Sequence, residues 1–94
     1  MPRFIAMHTL GPNLITRDMV EDSAAHTKQQ AEITCYRSFI NMREGRAACV
    51  IDAPNRAWLE NYFNSIKLPF DLLFEVEIES VDGVVQEDVA QLCP

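Results

Sequence analysis

The segment that most limits the fold of this chain is LLFEVEIES, residues 72–80, because its apolar and polar side chains alternate. Successive side chains of a β-strand point to opposite faces of the sheet. We expect one set to face the protein core, and this set comprises Leu72, Phe74, Val76 and Ile78. The set expected on the opposite face comprises Leu73, Glu75, Glu77 and Glu79. The segment therefore predicts a sheet with two distinct faces, for which the rest of the chain must supply the other strands.

Three further strands are predicted before this one, over residues 3–9, 34–42 and 46–52. They are rich in apolar, aromatic or β-branched residues and are bounded by turn residues such as Gly11, Pro12 and Gly45. A first helix is expected to begin after Thr16, whose hydroxyl can cap it, and to run to about Glu32. A second is expected to begin after Asn55, with residues 58–66 forming a broad apolar stripe, and to end near residue 67.

The resulting order, β-α-β-β-α-β, is typical of the ferredoxin-like α+β fold. In that fold a four-stranded antiparallel sheet carries two helices on one face. We expect one ferredoxin-like domain over residues 1–80, followed by a C-terminal extension over residues 81–94. Val84, Val85, Val89 and Leu92 of the extension could form a short docking segment, and the pattern there does not decide this.

Composition limits the functional classes that the chain can serve. It has 94 residues and a net charge of −6, which argues against binding to a nucleic-acid backbone. No apolar run approaches the roughly 18 residues of a membrane-spanning helix, and the first ten residues lack the apolar core of a signal peptide. Three cysteines without a CxxC pair favour free thiols over a disulfide framework. We expect a cytoplasmic protein that binds neither nucleic acid nor membrane.

The predicted alternation places several chemically reactive side chains on the sheet face away from the helices. His8 of the first strand, Arg37 of the second, Cys49 of the third and Glu75 of the fourth are all expected there, together with the apolar residues Phe4, Phe39 and Ile51. Such a face is too apolar to be left in water and too polar to be a simple core. We therefore expect a homodimer that pairs through this face and encloses a cavity.

Four segments, MPRFIAMH, YRSF, RAACVIDAP and LPFDLLFEVEIE, resemble a small family of uncharacterised bacterial proteins that includes a nickel-binding member. The resemblance covers roughly residues 1–79 and implies a ferredoxin-like fold that pairs as a dimeric α/β barrel. The histidine late in the family's first strand corresponds to His8, and its Cys-x-x-acid-Ala-Pro segment corresponds to residues 49–54. Ala6 departs from the family, because relatives often carry an acidic residue at that position.

The sharpest chemical hypothesis is a metal site built on His8 and Cys49, since imidazole and thiolate both suit nickel, copper or zinc. Glu75 and Glu77, or a group from the second subunit, would complete the ligands, and the resemblance favours nickel. His8 could equally be a hydrogen-bonded cavity histidine, and Cys49 a small buried apolar residue. Arg37 could bind an acidic ligand, or it could form an ion pair with the two glutamates.

A rival hypothesis is a dimeric α/β barrel enzyme or small-molecule-binding protein that uses the cavity on the sheet face. His8 would then act as a general base and Arg37 would hold an anionic group. A third is an assembly module whose outer face only forms the dimer. Cys35 is expected to be a packing residue and Cys93 an incidental thiol near the C-terminus.

Overall fold

In the computed structural model, which describes residues 1–86, a four-stranded antiparallel sheet carries two helices. The elements are β1 Arg3–Thr9, α1 Arg17–Lys28, β2 Thr34–Asn41, β3 Arg46–Asp52, α2 Arg56–Ser65, β4 Leu72–Glu75, β5 Glu79–Val81 and β6 Val84–Gln86. The four-stranded sheet has the order β2-β3-β1-β4, and β5 pairs with β6 in a separate hairpin. This arrangement is compatible with the predicted ferredoxin-like α+β fold.

Both predicted helix caps are confirmed. The Thr16 hydroxyl accepts a hydrogen bond from the Met19 N–H at 3.2 Å, and the Asn55 side chain accepts one from the Trp58 N–H at 2.7 Å. Helix α1 ends at Lys28, earlier than predicted, because the next two N–H groups bond back three residues and tighten the last turn. The chain then leaves the helix so that Ile33 can be buried.

The core lies between the sheet and α2. Strand residues Phe4, Ala6, Ile51 and Leu73 are almost fully buried. They share one cluster with three buried residues of α2, which are Leu59, Tyr62 and Phe63. Helix α1 contributes no buried residue of its own. The two helices therefore make very different contributions to the hydrophobic core.

The sheet faces are reversed relative to the prediction. His8 is 2% exposed and its ring meets Phe63 of α2 edge-on at 4.9 Å, so it lies beneath a helix. Cys49 is opposite Ala6 and shares that face. The prediction that His8 and Cys49 lie on one face is confirmed, but the prediction that this face points away from the helices is wrong. Both faces of β1 are apolar, so alternation alone could not choose between them.

The face away from the helices, here called the open face, is mainly apolar at its centre and polar at its two ends, where Arg3 lies opposite Asp52 and Thr9 lies opposite Arg46. The pairing register places on it Ile5 and Met7 of β1, Arg37 and Phe39 of β2, Ala48 and Val50 of β3, and Leu72 and Phe74 of β4. Three of its side chains are strongly exposed, with Phe39 at 60%, Leu72 at 45% and Phe74 at 44%. Leu72 and Phe74 were predicted to face the core, and that prediction is wrong.

A β-bulge in β2 changes which side chains face the helices. The register passes from Cys35 opposite Ile51 to Arg37 opposite Val50, so Tyr36 is the extra residue of the bulge. Cys35 and Ser38 consequently share the helix-covered face, although a regular strand would send residues three apart to opposite faces. Arg37 and Phe39 point to the open face, as predicted, whereas Cys35 does not.

Strand β4 ends at Glu75, before the predicted end of the alternating segment. The chain then forms the β5–β6 hairpin, whose turn contains Asp82 and Gly83 at positive φ. Glu79 of the hairpin accepts a hydrogen bond from Arg3 at 2.6 Å, which attaches the hairpin to one end of β1. Val84 and Val85 of the predicted extension thus lie in or beside a strand, while Val89, Leu92 and Cys93 lie outside the described residues.

A buried carboxylate joins this hairpin to the sheet. Asp52 is 2% exposed and accepts hydrogen bonds from Arg3 at 2.9 Å and from the Tyr36 hydroxyl at 2.7 Å. The Arg3 guanidinium also lies 4.5 Å from the centre of the Tyr36 ring. The acidic residue of the Cys-x-x-acid-Ala-Pro segment therefore has a structural role, because it pairs with Arg3 of β1, which also pairs with Glu79 of the hairpin.

Candidate functional site

A cavity of about 650 Å³ separates α1 from the sheet. Its walls are mainly apolar and include Met19 and Ala24 of α1, Ile51 of β3 and Phe63 of α2. Ligand sites commonly have volumes of roughly 300–1,000 Å³, apolar walls and a few polar groups that orient the ligand. The cavity has these properties, and its polar groups come mostly from β1, β2 and β3.

His8 supplies the most distinctive polar group in the cavity wall. Its Nδ1 lies 2.8 Å from the carbonyl oxygen of Pro69, so Nδ1 carries the proton and donates it there. Its Nε2 is buried and has no hydrogen-bond partner within residues 1–86. Burial lowers the pKa of His8, while the Pro69 carbonyl and the Asp71 charge oppose this weakly. The imidazole is therefore neutral, and Nε2 presents a free lone pair.

Two thiols form the second polar group. Cys35 and Cys49 lie on neighbouring strands, and the Ser38 hydroxyl oxygen is 3.4 Å from each sulfur. Hydrogen bonding from Cys49 lowers the pKa of Cys35, and the hydrogen bond to Cys35 together with burial raises the pKa of Cys49. The pair therefore gives up one proton readily and retains the other, since a second negative charge beside the first is unfavourable.

The two helices meet through polar groups at one side of the cavity. The Tyr62 hydroxyl of α2 lies 2.9 Å from His26 Nδ1 and 3.3 Å from the Thr27 hydroxyl, both on α1. The rings of His26 and Tyr62 also stack, with centroids 5.9 Å apart. His26 therefore forms both a polar contact and a ring contact between the two helices.

The structure brings together only part of the predicted site. His8 and Cys49 line one cavity, but Glu75 is an exposed residue of the edge strand β4 and Glu77 is exposed beyond its end. Arg37 also borders the cavity, but its pairing with Val50 directs its side chain to the open face, and its carbonyl oxygen accepts a hydrogen bond from the Cys35 thiol at 3.7 Å. The five predicted residues therefore do not converge on one point.

Sequence reasoning missed three contributors to the site: Cys35, Ser38 and Tyr62. Tyr62 carried a signal, because a tyrosine in an apolar helical stripe needs a partner for its hydroxyl when it is buried. Cys35 and Ser38 carried no such signal, because they share a face only through a β-bulge, and no glycine, proline or other turn residue marks its position in the sequence. The spacing alone placed them on opposite faces.

Within residues 1–86, no three His, Cys, Asp or Glu side chains are grouped closely enough to hold a metal ion. His8 Nε2 and the two thiols are the soft donors that the cavity offers. Nickel binding stays a prediction from the sequence.

Comparisons with protein-family models, with curated proteins and with solved structures found no match. The resemblance to the nickel-binding family therefore stays a prediction as well. Among the described residues, no helix has the length and apolar character needed to cross a membrane.

Proposed function

We propose that this protein binds a small, largely apolar molecule in the cavity between α1 and the sheet, and that the molecule donates a hydroxyl hydrogen bond to His8 Nε2. The observation that carries the proposal is that His8, whose buried Nε2 has no hydrogen-bond partner within residues 1–86, lines an apolar cavity. A phenol or enol fits this description, because its ring or chain suits the apolar walls and its O–H suits a neutral imidazole.

Energetics favour a ligand that completes this hydrogen bond. A buried polar atom without a partner costs about 1–3 kcal/mol, and a ligand O–H placed against Nε2 recovers part of that cost. Pro69 fixes the tautomer from the other side of the ring, so the acceptor is oriented before the ligand arrives. His8 would thus discriminate between ligands that share a shape and differ only in the donor.

Two probe molecules test this role of His8: 2-naphthol and 2-methoxynaphthalene share a ring system, and only the first has an O–H. Binding is measured by amide chemical shifts during NMR titration. We expect 2-naphthol to bind about 5–30-fold more tightly, corresponding to about 1–2 kcal/mol, with shifts at cavity residues. His8→Phe, which retains an aromatic ring beside Phe63, should bring the ratio of the two affinities close to one.

The chain's other histidine offers a matched control. His26→Gln alters the contact between the helices and leaves the proposed acceptor, His8 Nε2, in place. It should therefore leave the ratio of the two probe affinities unchanged, even if both affinities fall. Equal binding of the two probes to the wild-type protein would overturn the proposal. Chemical shifts confined to the open face would overturn it too.

We also propose that two copies of the chain pair through their open faces. Exposed apolar surfaces of this kind are typical of protein interfaces. Arg37 is the charged residue among the eight open-face positions named above, so no carboxylate lies among them at the apolar centre of the face. The β5–β6 hairpin adds Val81, Val84 and Val85, all more than half exposed, beside the Arg3 end of the same face.

Sedimentation equilibrium tests the pairing. Wild-type protein should sediment as a dimer at micromolar concentration, and the double variant Phe39→Glu/Phe74→Glu should sediment as a monomer with unchanged circular dichroism. Leu14→Glu is the matched control, because Leu14 is 59% exposed in the loop before α1. A monomeric wild-type protein would contradict the pairing and leave the cavity proposal standing.

A further inference from the structure

We propose that Cys35 and Cys49 form a reactive dithiol that exchanges with small, uncharged disulfides entering the cavity. The exchange uses a different part of the cavity wall from His8 and does not depend on the ligand-binding role assigned to that residue. It gives the two thiols a joint chemical role rather than one of packing alone.

Backbone geometry brings the two sulfurs together. Cys35 is opposite Ile51, and Cys49 is opposite Ser38, so the thiols occupy diagonal positions on adjacent strands. Diagonal positions on one face are farther apart than directly opposite ones, so the contact that both sulfurs share with Ser38 is what shows that they are near each other. The Ser38 hydroxyl, 3.4 Å from both sulfurs, fills the space between the two strands beside them.

The same geometry assigns different roles to the two thiols. With both thiols protonated, the Ser38 hydroxyl donates to Cys49 and the Cys35 thiol donates to the Arg37 carbonyl oxygen. Once Cys35 is ionised, its thiolate can accept hydrogen bonds from the Cys49 thiol and from the Ser38 hydroxyl, which can turn towards it. Cys49 is the donor in this arrangement and keeps its proton. Cys35 is therefore the attacking nucleophile, and Cys49 is the resolving thiol.

The exchange proceeds in two balanced steps. The Cys35 thiolate attacks one sulfur of the disulfide RSSR, the S–S bond breaks, and a mixed disulfide forms while RS⁻ leaves and takes up a proton. Cys49 then loses its proton, attacks the Cys35 sulfur and displaces the second RS⁻, which is also protonated. The substrate is reduced to two RSH molecules, and the protein is oxidised to a Cys35–Cys49 disulfide.

The cavity wall indicates which disulfides can enter. Apolar residues of α1, such as Met19, Val20 and Ala24, form the side opposite the thiols. The chain carries a net charge of −6, which disfavours anionic reagents. We therefore expect the neutral 4,4′-dithiodipyridine to react faster than the dianionic 5,5′-dithiobis(2-nitrobenzoate), with free cysteine as the reference for their intrinsic reactivities.

The experiment uses the full chain in a Cys93→Ser background, so that only the two cavity thiols remain. After treatment with 2-hydroxyethyl disulfide, mass spectrometry should show a loss of about 2 Da with no adduct, and peptide mapping should identify the Cys35–Cys49 disulfide. Cys49→Ser should retain one adduct, on Cys35. Cys35→Ser should react at least about tenfold more slowly than Cys49→Ser.

The unfolded protein provides the reference for the effect of the fold. In guanidinium chloride at the same pH, both thiols should react at the rate of free cysteine, and folding should accelerate the first step. Two stable adducts without an internal disulfide would overturn the proposal, as would a Cys35 that reacts no faster folded than unfolded. Peptide mapping of the disulfide needs no substitution at Cys35 or Cys49. The proposal can therefore still be tested if the Cys35→Ser or Cys49→Ser variant fails to fold.

Discussion

The two helices of this protein lie on the same sheet face and are attached to it in different ways. Helix α2 buries Leu59, Tyr62 and Phe63 against the strands, and α1 buries nothing. Helix α1 is instead joined to α2 by polar contacts from His26 and Thr27 to Tyr62. Helix α2 therefore stabilises the fold, while α1 covers a cavity that an occupant of suitable size can fill.

The largest expected effect tests this comparison with two similar truncations. Leu59→Ala, in α2, should lower the free energy of unfolding by about 2–5 kcal/mol, because it opens a void in a fully buried site. Met19→Ala, in α1, should change it by less than about 0.5 kcal/mol, since Met19 is 43% exposed beside a space that already exists. Urea unfolding measures both, and equal losses would show that α1 also belongs to the core.

A smaller effect is expected where the helices meet. Tyr62→Phe keeps the ring in the core and removes the hydroxyl that contacts His26 and Thr27, which should cost about 0.5–1.5 kcal/mol. Amide hydrogen exchange should accelerate mainly in α1. Tyr36→Phe is the control, because its hydroxyl bonds to Asp52 instead, and a selective acceleration of α1 in that variant would contradict this assignment.

The smallest effect concerns His8 and pH. Because burial lowers the pKa of His8 in the folded state, the unfolded chain binds a proton more readily, and stability falls as the pH drops below the ordinary histidine range. Between about pH 7 and pH 6 the loss attributable to His8 should be at most about 0.7 kcal/mol. His8→Phe should flatten this part of the stability profile, and an identical profile would contradict a buried neutral imidazole.

The order of the first six elements, the helix caps and the strands β1 and β3 followed from the sequence because local chemistry determines them. Gly45 shows why: its φ is +70°, and a Cβ there would lie 1.6 Å from the Gly11 carbonyl oxygen, so the residue marks its turn unambiguously. The choice of sheet face did not follow. Ile5 and Met7 are as apolar as Phe4 and Ala6, and only packing against α2 distinguishes the two pairs.

The candidate site was predictable only in part, for the same reason. His8 and Cys49 lie on neighbouring strands of regular register, so alternation grouped them correctly. Cys35 is separated from Ser38 by the bulge in β2, so alternation could not group the two residues. Tyr62 belongs to a helix and contributes to the site through its hydroxyl. Tertiary contacts, which spacing in the sequence does not encode, assemble the rest.

The position of Tyr36 as the extra residue of the β2 bulge has a consequence for how insertions and deletions affect this wall of the cavity. Deleting Tyr36 would let β2 pair continuously and would still leave Cys35 opposite Ile51 and Ser38 opposite Cys49, so the thiols and the hydroxyl would remain neighbours. Adding a residue after Arg37 would instead turn either the hydroxyl or the thiol outward. The chemistry of this wall therefore depends on the pairing register of β2 as much as on the identity of its side chains.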